Sequence, residues 1–217
     1  DVLMQQYSRI RSKFGIILDE INVGGGLGVK YTESDNPPSI YDMADEIISS
    51  IKRNQKKFYL KEPKLIIEPG RSIVCNAGLT LYTVGSFKNI PEIRKFIAVD
   101  GGMSDNPRPS MYQAKYHIIL ANKANYENSE LVSIAGKYCE SGDILIKDIK
   151  LSQIEHKDII CVFATGAYNY SMSSHYNRSP KPAAVLLNNG SADIIVRRET
   201  YQDLLNFDII PERLVRA

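Results

Sequence analysis

Ile16-Ile17-Leu18-Asp19-Glu20-Ile21-Asn22-Val23-Gly24-Gly25-Gly26 decides how the first part of this 217-residue chain is read. A largely apolar run that stops on three glycines predicts a buried strand over residues 16–23, feeding a loop. Before it, residues 1–15 read as an amphipathic helix with Leu3, Tyr7, Ile10 and Phe14 on one face. After it, Pro37-Pro38-Ser39 opens a second helix. Ser39 is its predicted N-cap, with Asp42 three residues on in near capping-box spacing. Ile40, Met43, Ala44, Ile47, Ile48 and Ile51 form its predicted apolar face. Lys52, Arg53, Lys56 and Lys57 suit its C-terminal end. Residues 64–67 read as a short strand ending at Glu68-Pro69-Gly70-Arg71. Helix, strand, helix, strand is the alternation of a parallel sheet or a (β/α) barrel. Two repeats cannot close a barrel of eight. The chain opens at Asp1, inside a helical pattern and without Met, which is expected of a piece of a larger chain; if residues 1–72 belong to a barrel, its other strands lie upstream.

Past Arg71 the texture changes. Residues 72–87, 96–100, 117–121, 131–135, 159–164, 183–187 and 192–197 are short β-rich runs separated by turn residues. Asn189-Gly190 between two apolar runs is a strong hairpin signal. A short helix is expected over residues 199–207. Residues 73–217 are therefore expected to form a mainly antiparallel C-terminal β domain, a barrel or sandwich. The fold class is α/β plus β, with no internal repeat or low-complexity segment.

Composition narrows the function. Hydrophobic residues make up 43%, charged residues 24%, and the net charge is +2. That supports a real core and gives no basic run of the kind nucleic-acid binding needs. No apolar stretch approaches the ~20 residues that span a bilayer, and the N-terminus has no signal-peptide pattern. Cys75, Cys139 and Cys161 show no metal-ligand spacing and no paired framework, which points to a reducing cytoplasm. No metal is expected.

Five motifs could carry chemistry, and each has an ordinary reading beside it. Gly24-Gly25-Gly26 could bring backbone N–H groups to a phosphate, or be a flexible turn. Glu68-Pro69-Gly70-Arg71 could place a carboxylate on a protonated ring nitrogen and a guanidinium on an anion, or form a surface ion pair. Arg108 and Tyr112, four residues apart, face the same way if Pro109 opens a helical turn, and would then read a carboxylate. They equally fit an exposed loop. Cys139-Glu140-Ser141-Gly142-Asp143 places a thiol beside a carboxylate, a possible acid–base pair or a buried Cys at a turn. Tyr168, Ser171, Met172, Tyr176 and Asn177 form a polar and aromatic cluster, in which a Tyr hydroxyl could donate to a phosphate. His117 and His156 read as structural or solvated, and His175 receives no role.

Taken in this order, the motifs resemble the ornithine, diaminopimelate and arginine decarboxylases, the fold-type III pyridoxal-phosphate (PLP) family. The resemblance runs from about Ile21 to the final strands. It implies that residues 1–72 are the C-terminal part of a (β/α)8 TIM-like barrel and that residues 73–217 are the β domain that follows it, with pyridoxal 5′-phosphate as cofactor. Arg108-Pro109-x-x-Tyr112, Cys139-Glu140-Ser141-Gly142-Asp143 and Ala167-Tyr168-x-x-Ser171-Met172 look most like the branch that converts meso-2,6-diaminopimelate to L-lysine and CO2. By the resemblance, Gly24, Gly25, Gly26, Gly70, Arg71 and Tyr168 surround the cofactor phosphate, and Glu68 pairs with the ring nitrogen. Arg71, Arg108 and Tyr112 would hold the distal carboxylate of the substrate, and Glu140 and Ser141 its distal amine. Cys139 would return a proton after CO2 leaves. The family shares active sites across a homodimer through the Cys139–Glu140 loop. Its Schiff-base lysine lies upstream of the part matched here, so this polypeptide alone is expected to be inactive without an N-terminal barrel half. Two alternatives stand beside this reading: a decarboxylase of the same family acting on a polyamine precursor, and a non-catalytic regulatory homologue.

Overall fold

Helix α1 (Val2–Phe14) begins the first of two units and closes at Gly15, whose backbone is left-handed (φ 70°) and whose N–H reaches Arg11 O. The structure, a computed structural model, describes residues 1–215. The first unit comprises Asp1–Leu79 with Phe163–Ala167; the second runs over Thr80–Val162 and continues from Tyr168. The buried face of α1 is set by Met4 and Tyr7, while Leu3 and Phe14 are exposed. That corrects the expected face: packing, rather than the even spacing of apolar residues, selects which stripe turns inward.

Strand β1 spans Glu20–Asn22, three residues, with Ile21 its only buried one. The expected strand over residues 16–23 is thus shorter, and Ile16 and Ile17 are exposed. Helix α2 (Ile40–Phe58) starts at Ser39 with a full capping box: Ser39 Oγ accepts from Asp42 N–H, and the Asp42 carboxylate accepts from Ser39 N–H. Of its expected apolar face, Ile51 is buried and Ile47 packs against the core, but Ile40 and Ile48 are exposed. Strand β2 (Lys64–Ile66) pairs parallel with β1, Ile21 opposite Leu65. This β–α–β unit closes over Met4, Tyr7, Ile21, Ile51 and Leu60. Each fully buried aliphatic side chain there contributes about 1.5–3 kcal/mol.

Residues 72–79 are not a strand. Helix α3 (Arg71–Val74) and a 3-10 turn (Cys75–Ala77) occupy that stretch. The turn is fixed through Cys75, whose thiol donates to Ala164 O at 3.1 Å and whose carbonyl accepts from Gly166 N–H at 3.0 Å. Backbone-to-backbone approach is so close here that a Cβ on Gly166 would lie 1.9 Å from Val74 O.

The second unit holds β3 (Thr80–Ile90), β4 (Arg94–Val99), helix α4 (Arg108–Tyr112), β5 (Ile118–Leu120), β6 (Glu130–Ala135), β7 (Ile144–Leu151) and β8 (Ile159–Val162). These strands form one six-stranded sheet in the order β5-β8-β3-β4-β6-β7. All neighbours are antiparallel except β4 and β6, so the sheet is mixed. Its core contains Val84, Ile97, Val132, Ile134, Ile160 and Val162. Strand β7 was not expected from the sequence. Asp148 interrupts its apolar run with a left-handed backbone (φ 52°), and its carboxylate accepts both Arg94 Nε–H and Nη2–H at 2.8 and 3.0 Å. Beyond β8, β9 (Ala184–Asn188) and β10 (Ser191–Val196) form the hairpin that Asn189-Gly190 announced, with positive φ at both turn residues (47° and 81°). Helix α5 (Tyr201–Leu205) carries a second capping box, Thr200 with Asp203.

Candidate functional site

The glycine run leaves β1 directly. Gly24 and Gly26 are left-handed (φ 72° and 82°), which a side chain would strain. Gly25 has a different constraint: a Cβ there would lie 2.2 Å from Glu68 O. The end of β2 is therefore laid against the glycine loop, and Glu68 N–H donates to Gly24 O at 2.7 Å. Asn22 ties the two together. Its Nδ2 donates to Glu68 Oε1 at 2.6 Å, and its Oδ1 accepts from Gly24 N–H at 2.7 Å. Asn22 was missed in the sequence; its only signal is an amide at the end of a strand, two residues before the glycines.

Gly70 caps α3, whose first residue is Arg71. The Arg71 guanidinium lies over the Tyr31 ring, 6.0 Å from its centroid. Its Nε is buried and has no hydrogen-bond partner in the protein. An open cavity of about 400 Å³ lies beside it, bounded by Gly28, Tyr31, Asp35 and Pro37. Asp35 folds that loop by accepting Tyr31 N–H and Thr32 N–H, at 3.1 and 2.8 Å. The Thr32 backbone bond is the main cause that holds its carboxyl below the usual range. Gly24, Gly25, Gly26, Glu68, Gly70 and Arg71 are thus brought together at the C-terminal ends of β1 and β2. This donor set fits a phosphorylated pyridine: bare N–H groups without side chains, an arginine nitrogen lacking an acceptor, and a carboxylate held in place.

The other predicted residues gather in the second unit. Pro107 and Pro109 start the single turn of α4, which presents Arg108 and Tyr112. Arg108 lies over the Tyr168 ring, 5.4 Å from its centroid. Tyr168 is left-handed (φ 67°). Ser110 Oγ donates to Gly142 O at 2.7 Å and so joins α4 to the loop of Cys139, Glu140 and Ser141. Those three loop residues are exposed.

The loop is anchored from below by Asp143, which is 2% exposed. Its carboxylate accepts Met103 N–H at 2.7 Å and Tyr138 N–H at 3.0 Å. Gly136 leaves the room, since a Cβ there would lie 2.1 Å from Asp143 Oδ2. Burial raises the Asp143 carboxyl above its usual value, against these two bonds. Tyr138 hydrogen-bonds Ser104 and meets Tyr176 edge-to-face, 5.6 Å between centroids. Tyr176 in turn donates from its phenol to Glu140 Oε2 at 3.1 Å, and that bond raises its own pKa. Asn177 Nδ2 donates to Cys139 Sγ at 3.7 Å. The sequence had singled out Tyr176 and Asn177 as a cluster but had not joined them to Cys139 and Glu140, some 36–38 residues away.

Cys75, Cys139 and Cys161 are free thiols, with Cys75 and Cys161 buried. His156 Nδ1 meets Gly85 O, and His175 pairs with Glu199 at 2.7 Å. No described helix is long and apolar enough to cross a membrane. Among the described residues, no group of three or more His, Cys, Asp or Glu side chains could hold a metal.

Residues 15–166 match the family described as pyridoxal-dependent decarboxylase, C-terminal sheet domain. A diaminopimelate decarboxylase of Synechocystis is 53% identical over 99% of this chain and 46% of its own length. One of Bacillus subtilis is 48% identical over 92% of this chain and 45% of its own. Among solved structures, diaminopimelate decarboxylase of M. jannaschii in complex with L-lysine superimposes with a TM-score of 0.89 at 38% identity, over 98% of this chain and 48% of that one. The chain spans about half the length of the curated relatives it matches.

Proposed function

The chain belongs to the pyridoxal-dependent decarboxylase family, and from that premise we propose that the protein it is part of converts meso-2,6-diaminopimelate to L-lysine and CO2. One observation carries the choice of substrate. The chain carries both a guanidinium, Arg108, and a carboxylate, Glu140, on elements that the Ser110–Gly142 bond ties together. That pair suits a distal group bearing both a carboxylate and an ammonium, as diaminopimelate does. A polyamine precursor offers no distal carboxylate for Arg108. The names of the relatives point the same way.

In this reading Gly24, Gly25, Gly26 and Gly70 give the cofactor phosphate its backbone setting, and Arg71 supplies charge beside it. Tyr168 is assigned to the same phosphate on the family resemblance. Glu68, fixed by Asn22, would pair with the protonated ring nitrogen. When bound, pyridoxal 5′-phosphate supplies the electron sink for the pair left on carbon as CO2 departs. On the family resemblance, Arg71, Arg108 and Tyr112 are assigned the distal carboxylate, and Glu140 with Ser141 the distal ammonium. Cys139 holds the returning proton: its S–H bond breaks, a C–H bond forms on the carbon that lost CO2, and the sulfur keeps the pair until water reprotonates it. The exposed Cys139–Ser141 loop supports a homodimer in which each subunit lends this loop to the other. The upstream segment is assigned the rest of the (β/α)8 barrel, and three free thiols suit a cytoplasmic enzyme.

The test is the full-length protein with pyridoxal 5′-phosphate and meso-diaminopimelate, followed by L-lysine formation. Stoichiometric lysine and CO2 are expected. A full-length protein that binds no cofactor and makes no lysine would support the regulatory alternative instead.

A further inference from the structure

We infer that Tyr176 and Asn177 are positioning residues for this reaction, Tyr176 orienting Glu140 toward the substrate amine and Asn177 orienting the Cys139 sulfur toward the reacting carbon. The inference rests on the roles given to Cys139 and Glu140 above. Its own observation is a one-to-one match. Two adjacent residues make two separate side-chain bonds to two adjacent residues of the loop, Tyr176 Oη to Glu140 Oε2 at 3.1 Å and Asn177 Nδ2 to Cys139 Sγ at 3.7 Å.

The loop needs such support. Cys139 and Glu140 are exposed, and the buried anchor of the loop, Asp143, holds the backbone of Met103 and Tyr138 and reaches neither of their side chains. An exposed thiol and carboxylate on a surface loop sample several rotamers. The bonds from Tyr176 and Asn177 act on the two side chains themselves and limit that freedom. The segment that carries them is itself built for the purpose. Asn177 sits in the left-handed region (φ 52°), where Asn is tolerated far better than branched or bulky residues. That turn aims both side chains from one short segment, the 3-10 turn Tyr176–Arg178. Tyr138 stiffens it, since its ring meets that of Tyr176 at 73°. Arg178 holds the far side through Asp208 and through Leu204 O at 3.2 Å.

The two bonds act on different quantities. Glu140 binds the distal ammonium before and during the reaction, so loosening it weakens substrate binding. Cys139 acts only when the proton is delivered, so misaiming it slows turnover. Asn177→Asp keeps the shape and the left-handed tolerance but replaces the N–H donor with a carboxylate beside the sulfur. It also disfavours the thiolate, which alkylating reagents require.

The experiment uses the full-length enzyme loaded with pyridoxal 5′-phosphate. Asn177→Asp is expected to lower kcat by about 10-fold or more with KM for meso-diaminopimelate within about 2-fold, the loss of one hydrogen bond to the reacting group. Tyr176→Phe is expected to raise KM by about 10-fold with kcat largely kept. In the cofactor-free protein, iodoacetamide is expected to alkylate Cys139 several-fold more slowly in Asn177→Asp than in the parent, identified by peptide mass. Thermal unfolding of each variant controls for folding, and Asn177→Gly, which keeps the backbone, stands in if Asn177→Asp does not fold. Equal loss of kcat and substrate affinity in both variants, or an unchanged alkylation rate, would overturn the inference. Cys139→Ala and Glu140→Gln separate it from the reading beneath: if those two leave activity intact, the roles of Cys139 and Glu140 fail; if they abolish it while Asn177→Asp and Tyr176→Phe do nothing, only the positioning role fails.

Discussion

Asn22, at the end of β1, donates across 2.6 Å to Glu68, two residues past the end of β2, and accepts from Gly24 N–H with its other atom. A single amide thereby fixes the orientation of the proposed ring-nitrogen partner and the first bend of the glycine loop. Asn22→Ala frees both. Pyridoxal 5′-phosphate affinity, read by absorbance titration of the full-length protein, is expected to fall about 5- to 30-fold, the equivalent of roughly 1–2 kcal/mol for hydrogen bonds to a charged group and a turn. Unchanged affinity would remove Asn22 from the account.

Gly25 faces Glu68 O so closely that no Cβ fits, at 2.2 Å. The obstacle is backbone, which cannot swing aside as a side chain can. Gly25→Ala is expected to cost about 1–3 kcal/mol of stability by forcing the ends of β1 and β2 apart, and to weaken cofactor binding with it. Thermal unfolding and the same absorbance titration check this. A stable variant with full cofactor affinity would contradict the close approach.

Arg108 is held over the Tyr168 ring and lies next to the Cys139 loop. Arg108→Ala is expected to raise KM for meso-diaminopimelate by more than about 10-fold, as removal of a charged partner does, while leaving cofactor affinity near that of the parent. Equal losses in both would count against a substrate role for Arg108.

Asp203 caps α5 while accepting two bonds from Arg197, at 2.6 and 2.7 Å. The Arg197 bonds first, then those from Thr200, hold its carboxyl far below the usual Asp range. A depressed carboxyl stabilises the fold above its ordinary pKa of about 3.9, and that contribution is lost as pH falls through the folded value. Amide exchange over residues 200–205 is therefore expected to quicken in acid, and Asp203→Asn is expected to show the quick exchange already at neutral pH. Exchange that is independent of pH below 4, after correction for intrinsic rates, would contradict the assignment (that threshold is the ordinary value of about 4 for Asp).

The sequence carried the local signals well where chemistry is local. Ser39 with Asp42 and Asn189-Gly190 are decided within four residues, by a capping box and a type of turn that needs positive φ. It failed where distant partners decide. Ile16 and Ile17 look like strand but find no strand beside them, since β1 pairs with β2 only from Glu20 to Asn22. Ser72 to Leu79 looks like a β run, yet Cys75 is claimed by Ala164 and Gly166, 89 and 91 positions away. Strand β7 was hidden because Asp148 breaks the apolar pattern, and Arg94 on β4 and Ser133 on the adjacent β6 explain an Asp there. The candidate site divides the same way. Each motif that lies in one stretch, such as Gly24-Gly25-Gly26 or Cys139-Glu140-Ser141, was visible. The links between stretches were not: Asn22 to Glu68, Asp143 to Met103, Tyr176 to Glu140 and Asn177 to Cys139 each join residues at least 36 positions apart.

The assignment of Arg108 to a distal carboxylate and of Glu140 to a distal ammonium makes the choice of substrate the central claim, and one measurement addresses it: kcat/KM of the full-length enzyme for meso-diaminopimelate against L-ornithine, L-arginine and L-lysine under the same conditions. The account predicts a preference for meso-diaminopimelate of at least about 10³-fold, as a site built to hold a distal carboxylate and ammonium rejects substrates that leave its charges unpaired. A comparable or higher kcat/KM for any of the three monocarboxylic amino acids would contradict it.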